Sequence, residues 1–122
     1  MNQIKQQVIP VLRILDVDKA KEFYVDWLGF SIDWEHRFGE NFPLYCQISK
    51  DGIIIHLTEH YGDCIPGARI RIQITDVVAF QQQLKEYRYY KPGVEKTEWG
   101  TMEMSLLDPF GNHIDYTEDI KE

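Results

Sequence analysis

A chain of 122 residues has room for one ordinary domain and too little for two independent ones. With 43% hydrophobic and 27% charged residues it can bury a core and keep a water-facing surface. A formal net charge of −7 argues against nucleic acid, which selects basic patches, and modestly favours a cationic small-molecule ligand. No apolar run approaches the roughly 20 residues of a membrane span, so no membrane partner is expected. The opening "MNQIKQQVIP" lacks the apolar stretch of a signal peptide, which makes a cytoplasmic location the expectation. The two cysteines, Cys46 and Cys64, lack CxxC spacing, and Cys46 reads as a small core residue.

Taken along the chain, residues 8–15 are aliphatic and β-branched and predict a buried strand. Asp16 then caps a helix with the stripe Val17, Ala20, Phe23, Tyr24, Trp27 and Leu28, and Gly29 stops it. The segments "FSIDWEHRF", "FPLYCQI" and "GIIIHLTE" follow as strands, with a hairpin turn at 50–52. In the third of these His56, Thr58 and His60 share one face and Ile55, Leu57 and Glu59 the other. "GDCIPG", 62–67, reads as a link.

The pattern then repeats. Ile70, Ile72 and Ile74 alternate with Arg69, Arg71 and Gln73, and Asp76 caps a helix with the stripe Val77, Phe80, Leu84 and Tyr87. A short run at 93–95, "TMEMSLL" and "NHIDYTE" complete the set, with "DPFGN" as the turn between the last two. The capping aspartates are 60 residues apart (76 − 16), and "IHLTE" rhymes with "IDYTE" at an offset of 59 (114 − 55). Near-equal offsets at both ends predict two βαβββ modules, 1–62 and 63–122, within a single domain 1–122. The fold class is α+β: a curved mixed sheet with helices on the convex face and a helix-free concave surface open to a ligand.

"IPVLRILDVDKAKEFYVDWLGF" at the front and "EWGTMEMSLLDPFGNHIDYTED" at the back resemble the glyoxalase/bleomycin resistance, or vicinal oxygen chelate, superfamily. Within it they are most like the bleomycin resistance proteins, with Glu98 where that pattern has proline. In the superfamily's enzymes, the resemblance implies, a divalent metal is held by one residue from the first and last strand of each module. Those positions here are Ile9, His56, Arg69 and Asp115. Ile9 has no donor atom and Arg69 is a permanent cation, so two candidate ligands remain where three or four are needed. No metal, cofactor or catalytic residue is therefore expected; an Arg69–Asp115 ion pair with His56 beside it should fill the space. His60 is expected to face solvent and His113 to share Asp115's face; neither reads as a catalytic base.

Trp34, Phe38, Phe42 and Tyr45 cluster around "EHRFGENFPLY", and Trp99 precedes Gly100. The resemblance implies that aromatics from two subunits sandwich the flat bithiazole of bleomycin, which makes Phe38 and Trp99 the candidates. The expected binding set is Phe38, Phe42, Tyr45, His56, Arg69, Trp99, Glu103 and Asp115, with Glu59, Asp63 and Glu98 as further negative charge. Pro10 implies, by the same resemblance, a homodimer with residues 1–9 exchanged. The expected function is non-catalytic sequestration of a bleomycin-type cationic glycopeptide, that is, antibiotic resistance by binding. The alternatives are a metal-dependent lyase, isomerase or dioxygenase using His56 and Asp115, and a binding domain for an unknown metabolite.

Overall fold

The computed structural model describes residues 6–84 and 91–120. Two four-stranded mixed sheets carry the chain. The first runs β1 (Val11–Arg13), β4 (Ile53–Thr58), β3 (Tyr45–Lys50), β2 (Ser31–His36) in spatial order. The second runs β5 (Arg69–Gln73), β8 (His113–Asp119), β7 (Thr101–Leu107), β6 (Glu95–Lys96), the same order. In each sheet the first strand lies parallel to the last, and the register repeats: Val11 stands beside His56 as Arg71 stands beside Asp115. The 60- and 59-residue offsets in the chain are thus reproduced as equivalent places in two sheets.

Local chemistry explains the elements. The Asp16 carboxylate accepts from the Lys19 amide at 2.9 Å and starts α1 (Val17–Lys21). The helix continues as a wider π-helical segment, Glu22–Trp27, and ends at Gly29, whose φ of 88° suits a residue without Cβ. Its inner stripe, Ala20, Phe23, Tyr24, Trp27 and Leu28, is buried against Cys46, Ile48, Ile55 and Leu57 of the sheet. Each of the larger side chains among these, such as Phe23, Leu28 or Ile55, contributes about 1.5–3 kcal/mol. α2 (Val77–Gln83) starts at Asp76, which accepts from the Ala79 amide at 3.1 Å, while Glu118 accepts from the amides of Asp76 and Val77. The β3–β4 hairpin turns through Asp51 and Gly52, both at positive φ, as a tight two-residue connection requires.

Two expectations need correction. The first strand is three residues long rather than eight. Pro10 has no N–H to give, although its carbonyl accepts from His56 N at 2.9 Å, and Val8 is 92% exposed. α2 ends where Leu84 turns extended; Tyr87, expected on its stripe, lies outside the described residues. Residues 1–5 of the arm expected to exchange also lie outside them.

The modules are joined through the "DPFGN" turn. Asp108, buried, accepts from the Phe110 and Asn112 amides and from the Tyr24 hydroxyl. Asn112, fully buried, donates to the Arg13 carbonyl and accepts from the amides of Gly67 and Ala68. No helix among the described residues is long and apolar enough to cross a membrane.

Candidate functional site

Strand alternation turns Ile55 and Leu57 toward the helix and leaves His56 on the helix-free face of the first sheet. The Tyr45 hydroxyl and His56 Nδ1 are 2.7 Å apart, and His56 Nε2 lies 2.9 Å from Gln47 Oε1. Gln47 in turn donates its amide to Asp33 at 2.9 Å, which also accepts from Ser49. A carboxylate only accepts, so the Gln47 oxygen must face His56, and the ring must carry its proton on Nε2. Nδ1 then accepts a hydrogen bond from the Tyr45 hydroxyl, and both ring nitrogens are engaged.

Above this network lies an aromatic cup. Trp34 stacks on Tyr45 with centroids 6.0 Å apart and planes 12° from parallel, and His56 meets both rings edge-on. Phe38, 74% exposed, stands against His36 at 4.6 Å and His60 at 5.8 Å. The cavity, of ≈ 420 Å³, is lined by Trp34, His36, Phe38, Tyr45, His60 and Asp63. Burial, with Asp63 second, holds the Tyr45 phenol above its usual pKa, so it stays a hydroxyl.

The same face of the second sheet is ionic. Asp115 is fully buried, yet Arg69 reaches both of its oxygens at 2.8 Å and Arg71 one at 3.1 Å. Arg71 continues to Glu103 at 2.6 Å, which also accepts from Thr101 at 2.8 Å and the Trp99 indole at 3.4 Å. Hydrogen bonds from Arg71 and then Thr101 hold the Glu103 carboxyl below the usual carboxylate range. Trp99, 72% exposed, lines a smaller cavity of ≈ 240 Å³ with Gly93, Glu95, Thr97 and Glu103.

The expected residues thus divide. Phe38, Tyr45 and His56 meet in the first sheet; Arg69, Asp115, Glu103 and Trp99 meet in the second. His56 has its ring partners in its own sheet and takes no part in the Arg69–Asp115 pair. Phe42 lies apart, in a shallow cavity with Leu15, Arg37 and Glu59, and Glu59 is bound to the Leu44 amide. Glu98 is exposed, and His113 is half-buried beside Arg69. His60, expected to face solvent, is half-buried in the cup wall, and its Nε2 is buried with no partner. Trp34, His36 and Arg71 were absent from the expected set. Two-residue spacing puts Trp34 and His36 on one face of β2, and Arg71 beside Arg69 on β5, so the signal was present in the chain.

The metal positions of the resembled fold can be tested on these geometries. Ile9 offers carbon, Arg69 a cation, His56 two engaged nitrogens and Asp115 two oxygens held by guanidinium groups. Among the described residues no group of three or more His, Cys, Asp or Glu is placed to hold a metal ion. These residues do not fit a divalent metal.

The fold has solved counterparts. TnmS3, an antibiotic binding protein from Streptomyces sp. CB03234, is 25% identical, with 98% of this chain and 99% of that one covered at a TM-score of 0.75. A glyoxalase/bleomycin resistance protein from the same organism is 26% identical, over 88% and 96% of the chains, at a TM-score of 0.69. A bleomycin-binding protein solved with bleomycin shares the fold at 21% identity, over 94% and 99%, with a TM-score of 0.70. No curated protein shows significant similarity to the chain. The family model described as "Glyoxalase superfamily protein" matches residues 2–122, essentially the whole chain. With the duplicated sheets, this makes the assignment plain: the chain belongs to the glyoxalase superfamily.

Proposed function

We propose that the protein binds and sequesters a bulky, flat, cationic molecule of the bleomycin type in the cytoplasm and performs no bond chemistry on it. The observation that carries this reading is the cup: a stacked Trp34–Tyr45 pair with Phe38 standing open beside it. Large aromatic faces left to solvent are costly unless a guest covers them, and a flat conjugated guest gains most by stacking there. Asp63 in the wall and the net charge of −7 favour a cation. The antibiotic binding described for TnmS3 supports the ligand class.

In this reading the working unit is a homodimer. The cup of one protomer faces the Trp99 and Arg69–Asp115–Arg71–Glu103 face of its partner, giving two equivalent grooves related by the dyad. The test is a titration of intrinsic tryptophan fluorescence with a bleomycin, run beside sedimentation velocity. The expected result is saturable quenching at two ligands per dimer. A flat titration would remove the antibiotic from the reading, and a monomer that binds fully would remove the shared groove.

A further inference from the structure

A second cleft lies on the other side of the molecule, between the β3–β4 hairpin of the first module and α2 of the second. It measures ≈ 420 Å³, at the small end of the roughly 300–1,000 Å³ typical of ligand sites. Its apolar wall is Ile53, Ile74, Ala79 and Phe80. Tyr116, 2% exposed, also lines it, and the Tyr116 hydroxyl is buried with no hydrogen-bond partner. Buried hydroxyls almost always have a partner, because stripping water from one without replacement costs about 1–3 kcal/mol. An orphan at a cleft wall therefore asks for a group that the chain does not supply.

The surrounding charges say which group. The Lys50 ammonium spends one proton on the Leu28 carbonyl at 2.9 Å and sits 4.5 Å from the Phe80 ring centre, leaving hydrogen-bonding capacity on the cleft side. The neutral phenol and this cation both suit a carboxylate. Asp51 and Asp76 line the same cleft, and neither is in an ion pair among the described residues. They suit an ammonium. We infer that this cleft binds a small zwitterion of the amino-acid type with an apolar side chain, its carboxylate taken by Tyr116 and Lys50 and its ammonium by Asp51 and Asp76. The hydroxyl is sealed from water in the resting protein, so entry needs one wall side chain to move. Phe80, partly exposed and packed on the Tyr116 ring at 4.6 Å, is the residue placed to do so.

The test is a ligand-detected NMR titration of the full-length protein with L-leucine and L-phenylalanine, beside 4-methylpentanoate and isopentylamine, which are leucine without its ammonium and without its carboxylate. Saturable binding of an amino acid, at least about tenfold tighter than either of these, is expected. Tyr116→Phe should weaken that binding about tenfold or more, the loss of one hydrogen bond to a charged group. It should not lower the melting temperature, since it deletes an unpaired hydroxyl and keeps the ring. Asp51→Asn, which tolerates the left-handed turn, should weaken the amino acid and strengthen 4-methylpentanoate. Neither change should alter a bleomycin titration at the cup. The inference is overturned by absence of saturable amino-acid binding, by parent-like affinity in Tyr116→Phe, or by a drop in its melting temperature. That last result would mean a buried water already serves the hydroxyl.

Discussion

The Tyr24 hydroxyl donates to the Asp108 carboxylate at 2.6 Å inside the core, across 84 residues of sequence and from one module to the other. Burial first, and then Asp108, hold the Tyr24 phenol well above its usual pKa, so it remains a donor at any ordinary pH. Tyr24→Phe keeps the ring that packs on Phe23 at 4.9 Å and removes only this bond. A hydrogen bond to a charged, buried acceptor is worth about 1.5–3 kcal/mol. Urea unfolding should show that loss at an unchanged m-value; a loss below about 0.5 kcal/mol would mean that this hydrogen bond does not hold the modules together.

Phe38→Ala should separate binding from folding. The ring is mostly exposed, so the urea midpoint should stay within about 0.5 kcal/mol of the parent. Affinity for a bleomycin should fall by about 1–2 kcal/mol, roughly tenfold, as one stacking face is lost. Phe42→Ala, in a different cavity, should leave affinity unchanged. Calorimetric titration of the two variants reads both outcomes.

The two arginines on Asp115 should show strong coupling. Arg69→Met alone leaves Arg71 within 3.1 Å of the buried carboxylate, and both guanidiniums are half-exposed. The single change should therefore cost only about 1–2 kcal/mol, below the 3–5 kcal/mol of a fully buried broken pair. Adding Arg71→Met strands the charge, and the double variant should lose more than the two singles combined. A double-mutant cycle by chemical denaturation measures the excess.

Stability should fall at both ends of the pH scale for nameable reasons. Glu103 has a folded pKa below its unfolded value of about 4.3, so it adds stability above that value and loses it as pH falls through the folded one. Because Arg71 is half-exposed and solvent screens the pair from that side, this acid limb is shallow, and Arg71→Met should flatten it. Burial, with Glu35 second, pushes the Cys46 thiol up to about 11. A raised thiol pKa adds stability that is complete below the unfolded value of about 8.5 and is lost as pH climbs through about 11. Thermal melts across pH should show this alkaline limb, and Cys46→Ala should remove the part of it below about pH 10, where unfolded tyrosines do not yet ionise. Iodoacetamide at pH 8 should label Cys64 and spare Cys46 in the folded protein.

Much of the fold was legible because its signals are local. Asp16 and Asp76 each bind an amide three residues on, so a cap needs only its own turn of chain. The helix stripe ending at Leu28 and the alternation around His56 follow from periods of 3.6 and 2. The first strand was read too long because composition cannot see where pairing stops: at Pro10 the carbonyl still accepts from His56 N, but the residue has no N–H to carry the ladder on. Which side chains share a cavity was not legible in the same way. Phe38 and Phe42 are four residues apart and look alike in sequence, yet one faces the cup and the other a cavity beside α1.

Sequence alone settled which atoms stand at the four first- and last-strand positions: a carbon chain, an imidazole, a guanidinium and a carboxylate, whatever the packing. It also settled the doubling, since equal offsets are a property of the chain. Only the tertiary structure decided that Ile9 falls outside the strands and that His56 stands in one sheet and Arg69 and Asp115 in the other, that Tyr45 and Gln47 occupy both nitrogens of His56, and that Asp115 is buried under two arginines. The reason is physical. A side chain's chemistry is carried with it, but its neighbours come from strands dozens of residues away, and their register follows from burying one face of each sheet.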